Sequence, residues 1–263
     1  MKLHTFVIGC ALSLALLLFA QQRRTNAVPA TVFRDVVDLT HPINANVPTY
    51  DLAEHADYRV RTTATIEKNK YFARTFSLPE HYGTHLDAPA HFARGMWTVD
   101  QIPAERLVAP LAVIDVSGKV KENSDYRVSV EDIANWEKVH GHIPDYAVVM
   151  VKTGWESRWN SAKQYRNADA KGTMHFPGYS EDAAKFLIGA RNTLGLGIDT
   201  LSVDYGPSQD FPVHQFSLAH SVYHLENVAN LDRVPASGGI VVVAPIKLQG
   251  GSGGPVRILA LVR

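Results

Sequence analysis

Residues 80–92 read Glu80-His81-Tyr82-Gly83-Thr84-His85-Leu86-Asp87-Ala88-Pro89-Ala90-His91-Phe92. Three of the chain's 12 histidines, His81, His85 and His91, fall in this stretch, with Asp87 among them. His81 and His85 stand four apart, a helical ligand spacing, but Gly83 and Pro89 oppose a regular helix. In an extended segment His85 and Asp87 share a face, and a turn at Tyr82-Gly83 swings His81 round to join them. The stretch therefore reads as turn and strand. Imidazoles gathered with a carboxylate suit a borderline divalent cation such as Zn2+ or Mn2+.

On either side the sequence alternates short strands with helices. Segments 32–39, 58–66 and 71–78 carry β-branched residues in near-alternation. Segments 111–116 and 147–152 are short apolar runs, the pattern of strands buried on both faces, and 195–198, 240–246 and 256–262 continue the series. Ser129-Val130-Glu131-Asp132 reads as a helix N-cap, with Ile133, Trp136 and Val139 as apolar positions and Gly141 as the stop. Ser180 opens a second helix, with Ala183, Ala184, Leu187 and Ile188 on one stripe. Residues 250–254 (GGSGG) read as a loop tip, since no Lys-Ser/Thr follows to complete a phosphate cradle. The alternation predicts an α/β domain.

The 263 residues hold 26 Lys and Arg against 26 Asp and Glu; 46% are hydrophobic and 20% charged. This composition excludes a disordered or collagen-like chain. The charge balance, with no basic run longer than pairs such as Arg23-Arg24, removes the electrostatic drive for nucleic-acid binding. Residues 1–27 read as a secretory signal peptide: Lys2, an apolar stretch over 6–20, then small residues at Ala20 and Ala27. That stretch falls short of the roughly 20 residues that span a bilayer; an uncleaved anchor is the alternative. The reading implies an exported protein, periplasmic or extracellular, whose working domain is 28–263, without stable membrane insertion. The only cysteine, Cys10, leaves with the signal, so disulfide and thiol chemistry are excluded.

The window 81–92 resembles the signature of the cyclase family of metal-dependent hydrolases, which includes bacterial-type kynurenine formamidases and isatin hydrolases. Asp38-Leu39-Thr40-His41-Pro42-Ile43 and Gly197-Ile198-Asp199-Thr200-Leu201-Ser202-Val203-Asp204 are similar to further family segments. So are His214 and Leu225-Glu226-Asn227-Val228-Ala229-Asn230-Leu231, and the likeness covers nearly all of 28–263. It implies a single domain with a mixed, barrel-like β-sheet and peripheral helices, of the swivelling β/β/α type. It also implies ligation of one or two Zn2+ or Mn2+ ions by His81, His85, Asp87, His214 and Glu226, acid/base catalysis by His91, and a homodimer. Sequence chemistry alone does not prefer His214 to His220 or His224, which stand four apart and form the rival pair on a helical face.

Zinc held by imidazoles lowers the pKa of its water to about 7, and a histidine of ordinary pKa, about 6.5, can move protons at neutral pH. The expectation is a hydrolase in which metal-bound hydroxide attacks a small aromatic or bicyclic amide. The substrate would be a formamide such as N-formylkynurenine or a cyclic amide such as isatin. Tyr71, Phe72, Trp97, Phe176 and Tyr205 are the aromatic candidates for a stacking pocket. Alternatives are a metal-dependent cyclase, dehydratase or lactonase on a polyketide-like substrate, and a non-catalytic exported metal-binding protein of the same fold. The literal Gly-x-Ser-x-Gly match, Gly250-Gly251-Ser252-Gly253-Gly254, is followed by no helix signal and so does not read as a nucleophile elbow. Gly178-Tyr179-Ser180-Glu181-Asp182 lacks the second glycine, and there is no His-Glu-x-x-His.

Overall fold

A computed structural model describes residues 33–52 and 57–262. The signal-peptide reading of residues 1–27 lies outside them. Asp35–Arg263 form one compact unit. Its strands are β1 (Asp35–Asp38), β2 (Arg59–Ala64), β3 (Ala73–Ser77), β4 (His85–Asp87), β5 (Val108–Asp115), β6 (Arg127–Val128), β7 (Val148–Lys152), β8 (Gly178–Tyr179), β9 (Gly195–Ile198), β10 (Tyr223–Glu226), β11 (Gly239–Pro245) and β12 (Gly253–Val262). The helices are α1 (Ile66–Asn69), α2 (Ser117–Glu122), α3 (Val130–His140), α4 (Ala162–Arg166), α5 (Glu181–Arg191) and α6 (Pro212–Ala219).

The strand order β12-β11-β5-β7-β9-β10-β4 closes on itself, because β4 also pairs with β12. The result is a mixed barrel: β5, β7, β9 and β10 run parallel, and the other joints are antiparallel. β1 lies along the far end of β12. Buried parallel strands are apolar on both faces, and β7 shows why. Val148 and Met150 join one core with Leu86, Leu111, Leu225, Val241 and Ile258 from around the barrel. Val149 and Val151 turn the other way, into a second core with Ile133 and Trp136 of α3 and Ala183 and Leu187 of α5.

Both helix starts follow the sequence signals. Ser129 and Asp132 form a reciprocal capping box on α3, and the Ser180 hydroxyl accepts from the Ala183 N–H on α5. Ser180 is thus a helix cap. Val139 departs from expectation: it is 75% exposed. A strict three-residue spacing drifts off a 3.6-residue stripe, so the third member of Ile133, Trp136 and Val139 faces solvent.

Residues 250–252 form the expected loop tip, but Gly253 and Gly254 depart from it. Gly253 and Gly254 are the first residues of β12, in register with Asp87 and Leu86, and their pairing is what shuts the barrel. Glycine is required there by close approach, since a Cβ on Gly253 would stand 2.6 Å from the Leu86 carbonyl oxygen and 2.7 Å from His81 Cε1. Among the described residues no helix is long and apolar enough to cross a membrane.

Candidate metal centre

The β4–β10 register sets His85 opposite Glu226 and Asp87 opposite His224. Residues two apart on a strand share a face, so these four side chains emerge from one patch of two paired strands. Leu86 and Leu225, between them, point into the barrel core. Gly83, at φ +70°, makes the turn that returns His81 to the patch, where its Nδ1 is 2.6 Å from Asp87 Oδ1. Asn227 fastens this turn from the far side: its Nδ2 donates to the Gly83 carbonyl at 2.9 Å, and Thr84 Oγ1 donates to its carbonyl at 2.7 Å.

His214 comes from the first turn of α6. The buried Asp204 carboxylate accepts the backbone N–H groups of Val213 at 3.0 Å and His214 at 3.1 Å, and the His214 Nδ1–H at 2.7 Å. His85 is anchored similarly, since its Nδ1 lies 3.0 Å from the Gly83 carbonyl, which can only accept. His81 Nε2 lies 2.9 Å from Ser252 Oγ, whose hydroxyl is 2.7 Å from Glu80 Oε2. Each ring has one nitrogen tied outward and the other turned inward, the usual preparation of a metal-ligating histidine.

The two inner carboxylates divide their oxygens. Asp87 Oδ1 is 3.2 Å from His85 Nε2, while Oδ2 is 3.4 Å from His214 Nε2. Glu226 Oε2 is 3.5 Å from His85 Nε2, while Oε1 is 3.4 Å from His214 Nε2 and accepts the Val203 N–H at 2.9 Å. These separations exceed good hydrogen bonds and match the roughly 3.3 Å edges of a tetrahedral shell of 2.0–2.1 Å bonds. Asp87 Oδ2 is buried without a hydrogen-bond partner among the described residues, a state native proteins avoid unless an ion or water satisfies it. The donor set fits a divalent cation.

The electrostatics agree. Burial disfavours charge on His85, yet Asp87 and Glu226 raise its pKa to about 9. His214, also buried, is held well above its ordinary value by Asp204, Asp87 and Glu226. Burial would raise the Asp87 carboxyl, but the His81 and His85 rings hold it well below the usual range. The carboxylates thus demand positive charge at their centre, which a divalent cation supplies in place of protons.

His91, in the turn Pro89–His91, lies at the rim. Its ring stacks on His81 with centroids 4.0 Å apart, and a ring nitrogen lies within 4.8 Å of the His81 and Asp87 donor atoms. Burial lowers its pKa to about 4; Asp87 opposes this, and the His81, His214 and His85 rings add to it.

The structure therefore brings together His81, His85, Asp87, His214 and Glu226, with His91 beside them. The rival pair splits. His220 caps α6 in solvent, its ring on the Phe216 carbonyl at 2.7 Å, and does not share a helix with His224. His224 is wholly buried in β10, its Nδ1 3.6 Å from Asp87 Oδ2. A signal for it was present, because His224 and Glu226 repeat the two-residue spacing of His85 and Asp87.

A cavity of about 250 Å³ opens onto the cluster, walled by Pro48, Thr49, Tyr50, Phe92, Leu201 and Phe211. None of the five aromatic candidates lines it. Tyr71 and Phe72 are exposed by β3, Phe176 is core, Trp97 packs against the barrel core beneath Arg106, and Tyr205 lies under Arg127. Phe211 stands 5.8 Å from Phe92 and 6.1 Å from Tyr50, ring centre to ring centre.

The Cyclase family matches residues 37–205, and the chain belongs to that family. It is 33% identical over 246 residues to an isatin hydrolase of Roseibium aggregatum, covering 87% of this chain and 92% of that protein. A kynurenine formamidase of Bacillus cereus is 25% identical over 221 residues, covering 84% and 94%. The crystal structure of an isatin hydrolase bound to the product analogue thioisatinate superposes with a TM-score of 0.81 at 28% identity, covering 98% and 99%. The chain is a metal-dependent amide hydrolase acting on non-peptide C–N bonds.

Proposed function

We propose that this hydrolase opens a small aromatic cyclic amide of the isatin kind, with aryl formamides as weaker substrates. The observation that carries the reading is an aromatic-walled cavity ending on the His/Asp/Glu cluster. The isatin hydrolase relatives support the choice of substrate. A cavity of about 250 Å³ lies below the roughly 300–1,000 Å³ usual for drug-sized ligands and suits one or two rings.

His81, His85, Asp87, His214 and Glu226 would hold the cation, Zn2+ or Mn2+. The division of both carboxylates between His85 and His214 supports two ion positions. When bound, a divalent cation polarises the amide carbonyl and acidifies a water molecule. Tyr50, Phe92 and Phe211 grip the aromatic ring and keep bulk water from it. His91, beside the cluster, would take the proton of the attacking water and return it to the leaving nitrogen. The carbon–oxygen bond forms, the carbon–nitrogen bond breaks, and one water adds across it to give a carboxylate and an arylamine. The apolar N-terminal stretch supports an exported enzyme, and the family resemblance supports a homodimer.

The test is turnover of isatin, N-formylkynurenine and a simple aryl lactone by cation-replete protein, with products identified by mass. Isatin should be turned over fastest and gain one water. Preference for the lactone, or a dehydrated product, would refute the reading.

A further inference from the structure

We propose that His224 is itself a cation ligand, through Nδ1, and that Ser217 fixes its ring in the state that binding needs. This rests on reading the cluster as a cation site, and not on the identity of the substrate.

Ser217 lies in α6, wholly buried. Its hydroxyl oxygen is 2.5 Å from the Val213 carbonyl, one helical turn back, and 2.5 Å from His224 Nε2. A hydroxyl has one hydrogen, and a carbonyl can only accept. The Ser217 proton therefore goes to Val213, and the bond to His224 must use a hydrogen on Nε2. A neutral ring with its hydrogen on Nε2 carries a bare lone pair on Nδ1.

That nitrogen is sealed from solvent and has no hydrogen-bond partner among the described residues. Facing it at 3.6 Å is Asp87 Oδ2, likewise buried and unpartnered. The distance is too long for a hydrogen bond, and two lone pairs aimed at one another in a dry interior are costly unless positive charge lies between them.

His224 Nδ1 also has the right company. One donor atom each from Asp87, His214, His224 and Glu226 lie within 4.8 Å of one another, all four residues buried. Asp87 Oδ2 faces both His214 and His224, and Glu226 Oε1 faces His214, so His224 belongs to the inner position, away from His81 and His85. It is the fourth donor that the inner set otherwise lacks.

The test uses the full chain, stripped of metal and titrated with Co2+ while visible absorption is followed. Wild type should take up two equivalents. His224→Gln keeps a polar atom near Nε2 for Ser217 but removes Nδ1; it should keep one equivalent and bind the second at least tenfold more weakly. Ser217→Ala, which frees the tautomer, should weaken the second equivalent about 10- to 100-fold. Unchanged binding of both equivalents by His224→Gln, or uptake of a single equivalent by wild type, would overturn the proposal. Should the variant fail to fold, 15N spectra of wild type with Zn2+ decide: hydrogen on Nε2 and a metal-shifted Nδ1 support it, and hydrogen on Nδ1 overturns it. Isatin hydrolysis is assayed on the same samples. Two bound equivalents without turnover would leave His224 a ligand and remove the substrate reading, whereas turnover with unaltered Co2+ binding in His224→Gln would do the reverse.

Discussion

Asp204 accepts the ring Nδ1–H of His214 at 2.7 Å and, with the same carboxylate, the first free backbone N–H groups of α6. One buried side chain thus sets both the seat of the helix and the aim of the ring. Asp204→Asn keeps the shape but loses the charge that makes His214 a strong donor. Its Zn2+ affinity, measured by chelator competition, should fall about 10- to 100-fold. Wild-type affinity would show that Asp204 serves the helix alone.

His91 touches the cluster without belonging to the inner donors. His91→Ala should keep its full cation content by elemental analysis while kcat falls about 10²- to 10⁴-fold. A variant that loses the cation would make His91 a ligand instead.

Gly253→Ala drives a methyl group into the Leu86 carbonyl at 2.6 Å and His81 Cε1 at 2.7 Å. Overpacking of this kind costs about 1–3 kcal/mol. Thermal unfolding should begin earlier and cation affinity should drop together, because the same contact supports barrel closure and His81. A loss confined to stability would mean that His81 absorbs the methyl without moving.

Phe211 holds a left-handed backbone, φ +48°, at the start of α6 and turns its ring to Phe92 and Tyr50. Removing one aromatic partner is worth about 0.5–1.5 kcal/mol. Phe211→Ala should therefore raise the KM for isatin about 2- to 10-fold with little change in kcat. An equal fall in kcat would place the ring at the reacting atoms.

Away from the site, the Arg191 guanidinium clasps Glu137 through two hydrogen bonds, of 2.7 and 2.8 Å, joining the ends of α3 and α5. Arg191 holds Glu137 down from 4.5 to about 2. A depressed carboxyl contributes stability that is complete above its unfolded value and disappears as pH falls through its folded one. Urea unfolding of wild type should thus lose this contribution between pH 4.5 and about 2. Glu137→Gln should show a shallower acid dependence across that window, and parallel curves would contradict the assignment.

The sequence made parts of this architecture legible for physical reasons. Capping at Ser129 and Ser180 is local chemistry, and strand 195–198 is bounded by its own pattern, so these could be read directly. The alternation of His85 and Asp87 on one strand face was equally local. Barrel closure was not, because it depends on Gly253 and Gly254 meeting β4 across some 170 residues of chain, and glycines next to a serine look like a loop until their partner strand is known. His224 escaped a definite role because two histidines four apart suggest a helix, whereas α6 ends at Ala219 and leaves only His224 on a strand. The pocket aromatics were unreadable for a similar reason. Tyr50, Phe92 and Phe211 sit in turns or beside them, where no periodicity marks a face.

The three residues of β4 are stitched to β10 on one side and to the last strand, β12, on the other. Two of the ligands, His85 and Asp87, therefore sit on a seam closed by Gly253, Gly254 and Pro255. A chain clipped before Gly253 would keep every imidazole and carboxylate of the centre but leave β4 paired along one edge alone.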